Sequence, residues 1–187
     1  LGERGRMGRG APRLYALRLG QDDPRRCTSG KLSKFGLIEE LGKPSHIPGR
    51  AILLDPFSER VLTPGDRERI LGGGLVVVDC SWERAEEVFS RRLPGIHRRL
   101  PLLMAANPTK FAKLGVLSSA EALAAALFIT GFRALARELL GKFKWGRAFL
   151  DLNEGPLECY SRAGDEAEMR AEEAEIFGSA LARGGGA

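Results

Sequence analysis

Leu75-Val76-Val77-Val78 is the stretch that most narrows what this chain can become. Three β-branched residues in succession are stiff at χ1 and suit a strand buried on both faces, in the middle of a sheet. Two apolar runs precede it. Arg13–Arg18 alternates like a strand, and Ala51–Leu54 ends at Asp55-Pro56. Leu102–Ala105 supplies a fourth. Roughly 20 residues separate the later runs, enough for a helical crossover each time, so the spacing predicts an α/β fold with a parallel sheet.

Helix starts are readable. Ser81 suits the N-cap of a helix through Glu83 to about Arg92, stopped before Pro94. Ser118 with Glu121 three residues later forms a capping box for an Ala/Leu-rich helix with a buried face at positions 123, 127 and 128. Gly131 interrupts, and Phe132–Phe143 continues as helix. From Ser118 to about Ala182 the pattern is almost wholly helical. The expected organisation is a basic disordered leader over residues 1–12, a parallel-sheet α/β half over 13–100, and a mainly helical half over 101–187 that ends in an acidic tail.

Charge is unevenly spread. The chain of 187 residues has a net charge of +5, yet residues 164–187 hold six acids and two arginines, leaving +9 on the remainder. A basic body with an acidic tail fits a polyanionic partner such as nucleic acid, and fits equally a genome rich in arginine codons. No run approaches the ~20 apolar residues of a membrane helix, and Leu1 to Arg13 lacks the apolar centre of a secretory signal. Cys27, Cys80 and Cys159 are scattered, with no CxxC pair. That pattern predicts no zinc site and fits a reducing cytoplasm.

Several chemistries lack their signatures. His46 and His97 stand alone, without metal-ligand spacing, and no GxSxG elbow is present. Gly72-Gly73-Gly74 precedes a strand, whereas a phosphate-cradling loop follows one, so it reads as a turn.

Five stretches remain as candidates. Asp79 ends the valine run, where open parallel sheets bind ligands, and Trp82 lies in the next helical turn. A carboxylate beside an aromatic face suits a cationic ligand; the same pair also suits a helix cap and core packing. Leu100–Pro108 is an apolar run ending in small residues, which permit close backbone approach to a flat base or simply close a core strand. Asp22–Leu32 is a polar loop with hydroxyls, a glycine and cations, able to take a carboxylate or phosphate, or to lie solvated. Phe143-Lys144-Trp145-Gly146 and Asp151-Leu152-Asn153 sit among the late helices, where packing is the simpler role.

Taken together these stretches resemble one family, the ribosome-maturation aminocarboxypropyltransferases of archaea and eukaryotes. The resemblance runs through DPRRCTSGKL at 23–32, ILLDPFSERVLTPGD at 52–66, VVDCSW at 77–82, RRLPLLMAANP at 98–108, LSSAEALAAALFITGF at 117–132 and FKWGRAFLDLN at 143–153, covering about residues 13–160. It implies a SPOUT-like knotted fold, S-adenosylmethionine as cofactor, and transfer of the 3-amino-3-carboxypropyl group to N3 of a hypermodified pseudouridine. The substrate would be small-subunit rRNA or a pre-ribosomal particle, with no metal and no membrane involved. A SPOUT-type methyltransferase and a non-catalytic rRNA-binding assembly factor are the rival readings.

By the same resemblance Asp79 is the carboxylate beside the reaction centre, acting as general base or electrostatic stabiliser. Trp82 is the aromatic against the sulfonium methyl, Thr28 the hydroxyl holding the methionine carboxylate, and Leu102 the backbone contact to adenine. Arg25, Arg26, Lys31, Lys34, Arg98, Arg99, Lys110 and Lys113 are the candidate RNA-contacting cations. One departure stands out. After Asn107-Pro108 the family usually has Val-Asn-Tyr-Gly, and this chain has Thr109-Lys110-Phe111-Ala112.

Overall fold

The computed structural model describes residues 10–19 and 27–184. Arg25, Arg26, most of the leader and the start of the polar loop lie outside the described residues. Of the expected leader, Gly10–Pro12 are described, and Pro12 is already buried, so the fold begins slightly earlier than the sequence suggests.

Among the described residues five strands form one sheet: β1 (Leu14–Arg18), β2 (Glu39–Leu41), β3 (Ile52–Leu54), β4 (Leu75–Asp79) and β5 (Ile96–Arg98). Their order is β2-β1-β4-β3-β5, and every pairing is parallel. The valine run is thus the central strand, buried along its whole length. Its side chains alternate between two cores. Leu75 and Val77 pack with Leu14, Ala16 and Ile52 on one face, while Val76 and Val78 pack with Tyr15, Leu17 and Leu53 on the other. Each such Val or Leu contributes about 1.5–3 kcal/mol by leaving water.

The helices are α1 (Thr28–Lys34), α2 (Arg67–Gly73), α3 (Trp82–Ser90), α4 (Ser119–Ile129), α5 (Arg133–Leu140), α6 (Gly146–Arg162) and α7 (Glu166–Gly184). The helix α4 is buried nearly all round, as an Ala/Leu sequence without a polar face requires. It packs against β4 on one side and α5 and α6 on the other. One apolar cluster therefore joins residues from both sides of position 100, from Leu14 and Val77 to Leu123, Phe149 and Tyr160. The change near residue 100 is a change of architecture within a shared core.

Four local expectations are corrected. Leu102–Ala105 is not a sheet strand. The N–H of Leu102 donates to Glu173 (2.7 Å) and that of Met104 to the Asn153 side chain (2.8 Å), while Met104 makes only an isolated antiparallel bridge to Leu114. Pro101 has no N–H to offer, and the segment is satisfied by helical side chains at Leu102 and Met104 and by the 112–115 loop at Leu103 and Ala105, not by a sheet strand. The strands β2 and β5 were absent from the sequence reading because neither carries an apolar run: Glu-Glu-Leu and Ile-His-Arg sit at the sheet edges. Gly72 and Gly73 close α2 and are not a turn; a side chain at Gly73 would strike the Arg50 carbonyl, and Gly74 takes the left-handed φ of 91° that ends the helix. The polar loop after β1 stops at Cys27, whose sulfur caps α1 by accepting from the Gly30 N–H.

The acidic tail is also not free. Glu166 binds Arg60 Nε at 2.7 Å and accepts the Val61 N–H at 2.9 Å. The backbone N–H of Val61 first, and Arg60 and Arg170 after it, draw the Glu166 carboxyl down to about 2 from 4.5. A carboxyl lowered in the folded state stabilises the fold above its unfolded value, and that contribution is lost as pH falls through the folded value. Glu166→Gln should therefore melt below the wild type at neutral pH, with the gap narrowing as pH drops from 4.5 towards 2; a gap independent of pH in melting curves would contradict this. Gly146 gives a second test. A methyl there would overlap the Leu140 carbonyl, whereas one at Gly178 in α7 meets nothing. Gly146→Ala should cost about 2 kcal/mol or more, lowering Tm by at least about 4 °C. Gly178→Ala should leave Tm level or raise it.

Candidate cofactor pocket

A cavity of about 630 Å³ opens at the carboxyl ends of β3 and β4. Open parallel sheets receive ligands at that edge. The volume falls within the range of about 300–1,000 Å³ usual for small-molecule sites. The structure brings Thr28, Asp79, Trp82 and Leu102 together along its walls, from three stretches separated in sequence.

Asp79 sits at the end of the central strand and is 9% exposed. Its Oδ2 accepts from Ser29 Oγ at 2.6 Å and from Cys27 Sγ at 2.8 Å, with Arg18 Nε 3.8 Å away. Burial and the neighbouring carboxylate push the Cys27 thiol up, which keeps it protonated and able to donate. Two donors and a guanidinium thus hold negative charge on one carboxylate oxygen in a fixed orientation. Ser29, Cys27 and Arg18 were not singled out from sequence. Their common partner is what makes them relevant.

Trp82 opens α3 and is 37% exposed; its Nε1 donates to the Leu117 carbonyl at 3.2 Å. That bond ties the indole to the loop before α4 and sets its position in the wall. Thr28 Oγ1 accepts the Ala120 N–H at 3.1 Å, so the start of α1 caps the start of α4. The positive end of the α4 dipole, with Ser118 and Ser119, faces the cavity and suits an anionic group. Leu102 lines the cavity with both backbone polar groups already engaged. Its N–H goes to Glu173, and its carbonyl accepts the Tyr160 hydroxyl at 3.0 Å. Burial raises the Tyr160 phenol, which remains a donor. An adenine contact at Leu102 is therefore confined to the carbonyl's second lone pair and the side chain.

Glu121 organises the far wall from a fully buried position. Its carboxylate accepts from the N–H groups of Ala106 (2.7 Å), Asn107 (3.0 Å) and Ser118 (2.8 Å), and from Asn107 Nδ2 (2.7 Å). Ser118 Oγ accepts in turn from the Glu121 N–H, completing the expected capping box. The sequence showed the cap; that the same carboxylate also clamps the 106–107 segment appears only in three dimensions.

The candidate RNA-contacting cations divide into two groups. Arg98 is nearly enclosed, with Nε 3.1 Å from Asp66, and Arg99 makes a two-pronged pair with Glu173 at 2.8 Å on each arm. Their charge is neutralised within the fold. Lys31, Lys34 and Lys113 are exposed, and Lys110 lies at the cavity wall 3.9 Å from the exposed Glu83. The late-helix motifs serve packing, as the simpler reading had it. Phe143 and Trp145 pack with centroids 4.9 Å apart and ring planes tilted by 32°, and Asn153 pairs with both backbone groups of Met104. Among the described residues no cluster of His, Cys, Asp and Glu is arranged to hold a metal ion, and no helix is long and apolar enough to cross a membrane.

Comparison with known proteins gives a consistent answer. Residues 52–177 match the family described as ribosome biogenesis protein, C-terminal. The 16S rRNA aminocarboxypropyltransferase of Methanosarcina mazei is 44% identical over 158 residues, covering 83% of this chain and 90% of that protein. The protein of the same name from Methanopyrus kandleri is 47% identical over 148 residues, covering 79% and 88%. The solved SAM-dependent rRNA:acp-transferase Tsr3 of Vulcanisaeta distributa superposes with a TM-score of 0.83 at 44% identity over 89% of each chain. The chain belongs to this ribosome-biogenesis family, whose relatives bear the name 16S rRNA aminocarboxypropyltransferase.

The Glu121 clamp makes a direct prediction. Glu121→Gln keeps the shape but replaces one acceptor oxygen with an amide that faces other donors. It should destabilise the protein by about 2–4 kcal/mol, read as a lower Tm and a lower urea midpoint. A midpoint equal to that of the wild type would show that the clamp contributes little.

Proposed function

We propose that this chain transfers the 3-amino-3-carboxypropyl group of S-adenosylmethionine to small-subunit ribosomal RNA, at N3 of a hypermodified pseudouridine. The observation that carries the reading is family membership combined with a pocket that joins Thr28, Asp79 and Trp82 at the end of the central strand. The cytoplasmic assignment rests on that substrate. The SPOUT-like knot remains part of the proposal, supported by the all-parallel sheet with its ligand cavity at the strand ends.

The donor set fits the cofactor. Its sulfonium is a cation, and the pocket offers the Asp79 carboxylate and the Trp82 ring. Its methionine arm ends in a carboxylate, and the pocket offers Thr28 and the amino end of α4. When bound, S-adenosylmethionine supplies an electrophilic γ-carbon and a neutral thioether, methylthioadenosine, as leaving group. The protein's task would then be orientation: Trp82 would cover the methyl, and Thr28 with the amino end of α4 would hold the carboxylate, which would leave the γ-carbon for the RNA. Asp79 acts at the reacting position. With two donors and Arg18 already facing one oxygen, its role is to stabilise positive charge near the uracil-like ring, and the N3 proton leaves to solvent. Lys31, Lys34, Lys110 and Lys113, with Arg25 and Arg26, are proposed to hold the RNA backbone. Arg98 and Arg99 take a structural part, given their partners.

Two labelled cofactors test the reading on small-subunit rRNA. Label in the methionine carboxyl carbon should enter the RNA, and label in the methyl should not; the reverse result would make the chain a methyltransferase, and neither a binding factor. Asp79→Asn should retain cofactor affinity within a few fold and lose at least about 100-fold in turnover. Undiminished turnover would remove Asp79 from the mechanism.

A further inference from the structure

Phe111 is 63% exposed, the most exposed of the large apolar side chains described. A single exposed aromatic is ordinary on a protein surface. The backbone beneath this one is not. Asn107 is buried, and its Oδ1 accepts from Thr109 Oγ1 at 2.7 Å and from the Lys110 N–H at 3.1 Å. Ala112 donates to the Ala105 carbonyl at 2.7 Å, Ala105 donates to Lys113 at 2.9 Å, and Gly115 donates to Leu103 at 2.8 Å. The segment 104–115 is thus a pinned hairpin-like loop, anchored at its base by the Glu121 clamp on Ala106 and Asn107. Ala112 has φ of 60°, the only left-handed non-glycine among the described residues. That conformation costs about 1 kcal/mol for a residue with a Cβ. A loop so thoroughly tied down holds an apolar ring in water beside two cations, Lys110 and Lys113.

The location supplies the rest. Thr109 and Lys110, immediately before the ring, line the cofactor cavity. Phe111 has no stacking or cation–π partner among the described residues. An exposed flat ring on a pinned backbone, next in sequence to the cavity lining and flanked in the chain by Lys110 (3.9 Å from the exposed Glu83) and Lys113, has the character of a surface for a base of a single-stranded nucleic acid. Stacking on an aromatic face and ion pairing with phosphate are the two interactions that hold such strands.

We infer that Phe111 is a stacking platform for a nucleobase next to the modified one, with Lys110 and Lys113 pairing to its flanking phosphates, so that the 108–113 loop positions the target at the cavity mouth. The inference rests on the proposed rRNA substrate and deepens it. Phe111 acts on the RNA and not on the cofactor. Its removal should therefore affect the two ligands differently.

The experiment uses the full chain, S-adenosylmethionine, and a naked RNA hairpin carrying the target loop of small-subunit rRNA with its hypermodified pseudouridine in place. Phe111→Ala should raise KM for the hairpin by at least about 5-fold, the lower end of what one stacked base provides. Kd for S-adenosylmethionine should stay within twofold. Phe111→Trp should restore KM, whereas Phe111→Leu, which keeps an apolar side chain but loses the π face, should not. An unchanged KM in Phe111→Ala, full rescue by Leu, or a matching loss of cofactor affinity would each overturn the inference. The first of these would leave the exposed ring to a protein partner on the pre-ribosome. Wild-type transfer to the same hairpin separates this failure from that of the parent reading. If the wild type transfers nothing, both fall; if it transfers and the variants do not differ, only the platform falls.

Discussion

A single buried carboxylate holds the pocket's far wall in place. Glu121 collects four N–H donors from Ala106, Asn107 and Ser118, with no ion-pair partner among the described residues. In a low-dielectric interior an anion is tolerable only when its lone pairs are satisfied in this way. The consequence is geometric. The amino end of α4, the 106–107 segment and the loop that carries Phe111 cannot move independently. The Thr28 hydroxyl adds the start of α1 to the same point, through the Ala120 N–H. Three stretches distant in sequence are thereby fixed around one cavity.

The acidic tail performs a comparable task on the opposite wall. Its charge suggested a segment of its own sign, set against a basic body. In the fold, Glu166 and Glu173 face Arg60 and Arg99, so the two opposite charges neutralise one another locally. Glu173 also takes the Leu102 N–H, and Tyr160 donates to the Leu102 carbonyl. The cavity wall at 99–102 is therefore shaped by α6 and α7, and the basic surface left for a polyanion is smaller than the composition implies. Of the candidate RNA-contacting lysines, Lys31 and Lys34 are on α1, and Lys110 and Lys113 are on the 108–113 loop.

Much of this was legible beforehand, for identifiable reasons. The valine run announced a central strand because β-branched residues in succession leave a chain few other options. The Ser118–Glu121 spacing announced the start of α4 because a capping box is a purely local arrangement. Asp79 was marked as a ligand position because the end of a buried parallel strand is where such sheets open. The two edge strands escaped notice because Glu-Glu-Leu and Ile-His-Arg lack any periodic apolar signal, and edge position relaxes the need for one.

By itself, then, the order of residues determined the central strand, the capped and Ala/Leu-rich α4, and the string of motifs that relates this chain to its family. Those depend on neighbours a few positions apart. Only the tertiary structure decided that Leu102–Ala105 is held by helical side chains and the 112–115 loop and not by a sheet strand, that Arg98 and Arg99 belong to Asp66 and Glu173, and that Ser29 and Cys27 grip Asp79. These partners lie 32, 74 and about 50 positions away. A hydrogen bond carries no trace in local periodicity when its two ends are brought together by the packing of the whole core.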